Sequence, residues 1–342
     1  MRLSGHSLCL NQFLRLTGKL LAFSSRQLSN GQCVAKALVI GANGFIGSHL
    51  VDALVAGGHS VTAFDRFSSQ APTFDPSRVR ILRGEFLSRS DLEEAVAEQD
   101  YVFHFLSTTS PATAESDPTL DIRTNVAQTV ELLEACVAAR IQHFYYASTG
   151  GAIYGPQGKE RYSEADRALP ISPYGIGKLA LEHYLSYFGA RHGLDSTVFR
   201  ISNPYGTRQH PNRRQGLIPI ALRQIERGLP IQQFGDGSMV RDYVFVSDLV
   251  RMIVSLVGQD TKHNLYNLGS GTGHSVAEVL AALRRVTGVE FDVDVRPKPS
   301  TFVDNVVLDT TRFTNEFGRP TLTSLDDGVA QTWKEINGGT IV

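Results

Sequence analysis

The chain has 342 residues, 42% of them hydrophobic and 20% charged, with a formal net charge of −1. That length suits one large α/β unit, or a nucleotide-binding domain with a smaller companion, and the composition excludes a largely disordered chain. A near-neutral charge without a dense Lys/Arg patch argues against a nucleic-acid partner, and no apolar run approaches the roughly 18 residues of a membrane helix. The cysteines, Cys9, Cys33 and Cys136, lack metal-ligand spacing, and their odd number argues against a disulfide framework. No metal site is expected, and a reducing compartment, the cytoplasm, fits best.

Through Lys36 the chain carries Arg2, Arg15, Lys19, Arg26 and Lys36 and no acidic residue; the first carboxylate is Asp52. Residues 1–35 are therefore expected to be an extension outside the fold, disordered or read from too early a start. An organelle-targeting segment is the alternative.

From there, short β-branched or aromatic runs alternate with longer helical stretches. Ala37–Ile40 reads as a strand, Phe45–Ala56 as a helix and Ser60–Phe64 as a strand. Val79–Leu82 follows as a strand, Asp91–Ala97 as a helix and Tyr101–Leu106 as a strand. Asn125–Arg140 is a predicted helix, His143–Ala147 a strand, Pro173–Arg191 a helix and Ser196–Ile201 a strand. Strands alternating with helices imply a parallel sheet covered on both faces, the doubly wound Rossmann architecture, with ligands at the carboxyl ends of the strands. After residue 202 the alternation loosens, with helices near Leu217–Arg227, Val246–Leu256, Ser275–Val286 and Ser324–Ile336. Residues 36–202 are thus expected to be the dinucleotide-binding domain, and residues 203–342 a smaller substrate-binding part interleaved with the end of the sheet.

Gly41, Gly44 and Gly47 lie between the first strand and the first helix. They permit a tight turn, a close approach of backbone to a pyrophosphate and close helix–strand packing; the helix N-terminus then faces the phosphates. The second strand runs into Asp65, near the expected spacing of about 20 residues. A carboxylate there accepts from the adenosine ribose and repels a 2′-phosphate, which points to NAD; Arg66 beside it pulls the other way.

Tyr174 and Lys178 stand four apart on a predicted helix and share one face. Tyrosine ordinarily titrates near 10, and an adjacent ammonium favours its phenolate. Upstream, the strand at His143–Ala147 delivers Ser148 and Thr149 to its carboxyl end. Either hydroxyl can hydrogen-bond a substrate hydroxyl, with Thr149 placed ahead of Ser148.

The glycine loop, Asp65, Ser148/Thr149 and Tyr174/Lys178 together resemble the extended short-chain dehydrogenase/reductase family, in its nucleotide-sugar epimerase/dehydratase group, from about Ala37 to Gly318. The resemblance assigns Gly41, Asn43, Gly44, Phe45, Ile46, Gly47, Asp65, Arg66, Glu85, Leu106, Asn125, Tyr174 and Lys178 to the NAD cofactor. It assigns Thr108, Thr149, Tyr174, Asn203, Gln232, Phe234, Arg241 and Arg296 to the substrate. Asn203 and Arg241 would meet the diphosphate, and Phe234 with Gln232 and Gln233 the base. Arg296 stands in a stretch whose spacing is shifted from the group's. The family also implies a homodimer through the helices at Asn125–Arg140 and Pro173–Arg191.

A dehydratase of this group would carry an Asp-Glu pair after Thr149, because eliminating water needs an acid and a base. Here Gly150, Gly151 and Ala152 follow, and the glutamate of the group's decarboxylases is missing too. The resemblance then implies an NAD-dependent epimerase acting at C4 of a UDP-sugar. The alternatives are an NAD(P)H-dependent 4-keto-sugar reductase and a non-catalytic NAD-binding protein of the same fold.

Overall fold

The computed structural model describes residues 35–68, 71–209, 216–299 and 302–338; the extension ahead of Ala35 lies outside them. The described residues begin with β1 (Lys36–Ile40), α1 (Phe45–Ala56), β2 (Ser60–Asp65), β3 (Arg80–Arg83), α2 (Arg89–Val96) and β4 (Tyr101–His104). Then come α3 (Pro111–Ser116), α4 (Pro118–Asp121), a π-helical stretch at Ile122–Ala127 and α5 (Gln128–Ala139), followed by β5 (His143–Thr149), α6 (Pro173–His192), β6 (Ser196–Ile201) and β7 (Asn203–Tyr205). The remainder is α7 (Leu217–Glu226), β8 (Ile231–Phe234), β9 (Val240–Phe245), α8 (Val246–Leu256), β10 (Leu265–Leu268), β11 (Gly273–Ser275), α9 (Val276–Thr287), β12 (Val293–Arg296), β13 (Asn305–Val306), α10 (Thr311–Phe317) and α11 (Leu325–Ile336).

Seven parallel strands form the main sheet in the order β10-β6-β5-β4-β1-β2-β3. The order reverses between β1 and β4, which opens the ligand crevice of a doubly wound sheet at their carboxyl ends. β1 shows why its sequence reads as a continuous apolar run. Ala37 and Val39 enter one core layer with Leu50, Leu54, Leu249 and Ile253, while Leu38 and Ile40 enter the opposite layer with Leu132, Leu133, Leu181 and Leu185. A strand covered on both faces has no polar side to show.

The C-terminal part is bound into this sheet. β10 pairs with β6 at its edge, and α8 covers the face it shares with α1. A third layer gathers Ile218, Leu222, Val279 and Leu283 from α7 and α9 around Tyr205, Tyr243 and Phe245. Beside it, β9 pairs antiparallel with β11 and parallel with β7 and β13, and β8 pairs with β12. Residues Ala35–Val342 form one compact unit. Among the described residues, no helix is long and apolar enough to cross a membrane.

Two expected elements differ. The helix predicted from Asn125 begins earlier, at Pro118. Asp117 caps it by accepting from the Leu120 N–H, proline fills its first turn, and the ladder then widens into the π-helical stretch that contains Asn125. Such stretches put one extra residue into a turn and reposition side chains near functional sites. The strand expected to reach Leu106 stops at His104, because the chain there bends over Gly41.

Candidate active site

A cleft of about 1020 Å³ opens along the carboxyl ends of the strands. Its first wall is the glycine loop. Gly41 has φ +85°, and a Cβ on it would lie 2.9 Å from the Leu106 backbone nitrogen; a Cβ on Gly47 would lie 2.1 Å from Gly41 O. Side chains at either position would push the turn off the helix. Gly44 precedes α1 and offers no capping side chain, so the first N–H groups of the helix remain for an anion. This cradle, with Asp65 beside it, fits a dinucleotide pyrophosphate and ribose.

Gly41, Gly44, Phe45, Ile46, Asp65, Arg66, Glu85 and Leu106 all line the cleft. Asp65 also shapes the loop: its Oδ2 accepts the Asn43 N–H at 3.0 Å and its Oδ1 the Arg66 N–H at 2.8 Å. Asn43 and Gly47 do not line the cleft. Asn43 contributes that backbone bond, and Gly47 the close packing. Asn125, expected at the cofactor, stands behind the wall as well. Its Nδ2 donates to Thr109 Oγ1 and Asp121 Oδ1, both at 2.8 Å, and its Oδ1 accepts the Thr108 N–H at 2.9 Å. With both ends of its amide engaged, it shapes the Thr108 loop from below.

Tyr174 and Lys178 share the cleft side of α6, which starts at the Ser172 cap, with Pro173 in its first turn. Lys178 is buried, donates from Nζ to Ala147 O at 2.8 Å, and lies 5.7 Å from the Tyr174 ring centroid. Burial pushes its ammonium down to about 8, against the raising effect of Asp121 and Glu182. The two candidate hydroxyls part company. Thr149 Oγ1 accepts the Ala152 N–H at 3.2 Å, which leaves its own proton to donate. Ser148 already donates to Glu182 Oε1 at 2.6 Å. Of the two, Thr149 keeps its hydroxyl proton for a group in the cleft.

Thr108, Asn203, Gln232, Phe234 and Arg241 line the rest of the cleft. Asn203 Nδ2 donates to Asp242 O at 3.2 Å. Arg241 Nη1 donates to Val240 O at 2.8 Å and to Asp304 O at 3.4 Å, and burial lowers the pKa of its guanidinium against the opposing effect of Tyr243 and Asp304. Phe234 meets Phe302 edge-to-face at 5.6 Å. Arg296 is a correction: it does not line the cleft. Its guanidinium turns to Asp294 Oδ2 at 2.7 Å, on an exposed surface. Residues two apart on β12 face the same way, and the nearer carboxylate takes the arginine.

Sequence reasoning missed two supports of the site. Arg200 and Glu182 form a buried ion pair, 2.7 Å apart, whose carboxylate also accepts the Ser148 hydrogen bond and which ties α6 to β5 and β6. Buried Asp121 binds Thr109 and Asn125 and abuts Gly177 between Tyr174 and Lys178. The Asp117-Pro118 cap signal could have placed Asp121 on a helix; nothing in its spacing points to Gly177.

The arrangement can hold a dinucleotide, take a proton at Tyr174 and grip an anionic group near Arg241. Residues 37–269 match the family described as "NAD dependent epimerase/dehydratase family". The UDP-glucose 4-epimerase of Mycolicibacterium smegmatis is 33% identical over 303 residues, 87% of this chain and 97% of that protein. The solved UDP-glucose 4-epimerase of Thermotoga maritima with UDP-glucose superposes with a TM-score of 0.83 at 33% identity, covering 89% of this chain and 99% of that one. The Thermus thermophilus UDP-glucose 4-epimerase in complex with NAD gives 0.82 at 33% identity, covering 89% and 100%. A dTDP-4-dehydro-6-deoxyglucose reductase and dTDP-glucose 4,6-dehydratases are also among the relatives.

Proposed function

Because the chain belongs to the NAD-dependent epimerase/dehydratase family, we propose that it interconverts C4 epimers of a UDP-sugar of the UDP-glucose/UDP-galactose kind through a transient 4-keto sugar. NAD, when bound, supplies reversible hydride exchange with C4. Tyr174 takes the C4 hydroxyl proton and later returns it, Lys178 favours the phenolate that does so, and Thr149 donates to the sugar. Asn203 and Arg241 hold the diphosphate, while Gln232 and Phe234 border the base. One observation carries the choice over a dehydratase: Gly150, Gly151 and Ala152 follow Thr149 and bring no carboxyl group with which to eliminate water.

The test is UDP-galactose with the purified protein and no added cofactor. Sustained formation of UDP-glucose supports epimerisation. A reaction that runs only when NAD(P)H is supplied with a 4-keto sugar identifies a reductase, and no reaction at all identifies a non-catalytic protein. Tyr174→Phe should lower turnover by about 10²–10⁴ while NAD remains bound.

We also propose a two-fold dimer through the α5 and α6 side. Leu133, Leu181, Leu185 and Phe188 pack beneath these helices, but Ile176, Tyr184 and Tyr187 of α6 and Ile122 of the π-helical stretch ahead of α5 remain exposed. A second copy would cover that patch. Light scattering that returns a monomer mass would remove this part of the reading.

A further inference from the structure

Lys178 is only 8% exposed, and its Nζ has one close acceptor, Ala147 O at 2.8 Å. Two aromatic rings also face the ammonium. Nζ lies 4.8 Å from the Tyr146 ring centroid on β5 and 5.7 Å from that of Tyr174 on its own helix. Tyr146 is wholly buried, and its hydroxyl has no hydrogen-bond partner among the described residues. A buried phenol that makes no use of its hydroxyl contributes through its ring.

We infer that Tyr146 is a positioning residue for Lys178, its ring face holding the ammonium charged and in place beside Tyr174. A cation over an aromatic face is attracted by the ring quadrupole, most strongly where water is excluded. The other groups facing Lys178 serve it less directly. Glu182, on the same helix, is bound by Arg200 and Ser148, and Asp121, from α4, by Thr109 and Asn125. His104, from β4, is pushed down to about 3 by burial and then by the Lys178 charge, so it adds no charge of its own. Neither carboxylate forms an ion pair with Nζ among the described residues, and beyond the Ala147 carbonyl it is the Tyr146 ring that lies against the ammonium.

The role in turnover rests on the reading of Lys178 as the partner of Tyr174, so the test includes a readout that does not. In the holoprotein labelled with ¹³Cε-lysine, the Lys178 titration is followed by NMR, its signal assigned with Lys178→Arg. Tyr146→Phe should leave the midpoint in place, since the ring face is kept. Tyr146→Leu should lower it by about one pH unit, tenfold in ionisation constant. If the leucine variant does not fold, pentafluorophenylalanine at position 146 keeps the shape, weakens the ring face and should lower the midpoint likewise. A midpoint unmoved by both leucine and fluorination overturns the proposal. So does one that moves as far with phenylalanine as with leucine, because the hydroxyl is then responsible. A midpoint that moves without a matching shift in the alkaline limb of turnover keeps the hold of Tyr146 on Lys178 and removes the catalytic role of Lys178 instead.

Discussion

Gly177 lies hard against Asp121: a Cβ built on the glycine would sit 2.2 Å from Asp121 Oδ2. Asp121 cannot retreat, because Thr109 and Asn125 hold its other oxygen. The spacing of α6 from the Thr108 loop is therefore set between Tyr174 and Lys178.

Gly177→Ala should consequently move α6 or break the Asp121 cluster. Displacing catalytic groups by about 1 Å can cost on the order of 10²-fold in rate. Turnover should fall by that order while NAD stays bound, because the glycine loop is untouched. Wild-type kcat in a folded, NAD-bearing Gly177→Ala protein would show that the close approach has no role in placing Tyr174.

The Lys178 ammonium, lowered by burial to about 8, predicts an alkaline limit. Below that value Lys178 is charged and favours the Tyr174 phenolate; as pH rises through it, the charge and its effect are lost. Turnover should therefore decline as pH passes 8. A profile flat to well above that pH, with the protein still folded, would separate Lys178 from the reaction.

Asp65 has two jobs that one substitution can separate. Asp65→Ser removes the carboxylate that repels a 2′-phosphate and leaves Arg66 beside the ribose, so affinity for NADP relative to NAD should rise. Losing the bond to the Asn43 N–H should also loosen the glycine loop and weaken both cofactors somewhat. A wild-type protein that already prefers NADP in a binding titration contradicts the first expectation.

Arg241→Ala should weaken UDP binding much more than cofactor binding. A charge-assisted hydrogen bond to a phosphate is worth about 1.5–3 kcal/mol, and so roughly ten- to a hundredfold in affinity. Isothermal calorimetry with UDP measures it directly, and unchanged affinity would place the diphosphate elsewhere.

The parts of this site that were readable in the sequence are those in which the chemistry is local. The glycine loop and the Tyr174/Lys178 pair each occupy one turn or one helix, where spacing alone puts the groups on one side. The limits of α1 and α8 follow their apolar patterns for the same reason. Ser148 and Thr149 are adjacent, and only the partner each meets, Glu182 or Ala152, tells their roles apart. The contact of Asp121 with Gly177 and the turn of Arg296 onto Asp294 are likewise tertiary outcomes, without any periodic trace. β7, β11 and β13 run two or three residues, too short for alternation to register.

The edge position of β10 bears on how this chain can emerge from synthesis. Until Leu268 has been made, β6 presents an unpaired edge carrying Val198, Phe199 and Ile201, all buried in the finished protein. Open apolar edges recruit other strands. A fragment stopped at residue 202 should aggregate rather than persist as a nucleotide-binding half, and nascent chains would depend on chaperones until the last strand of the sheet arrives.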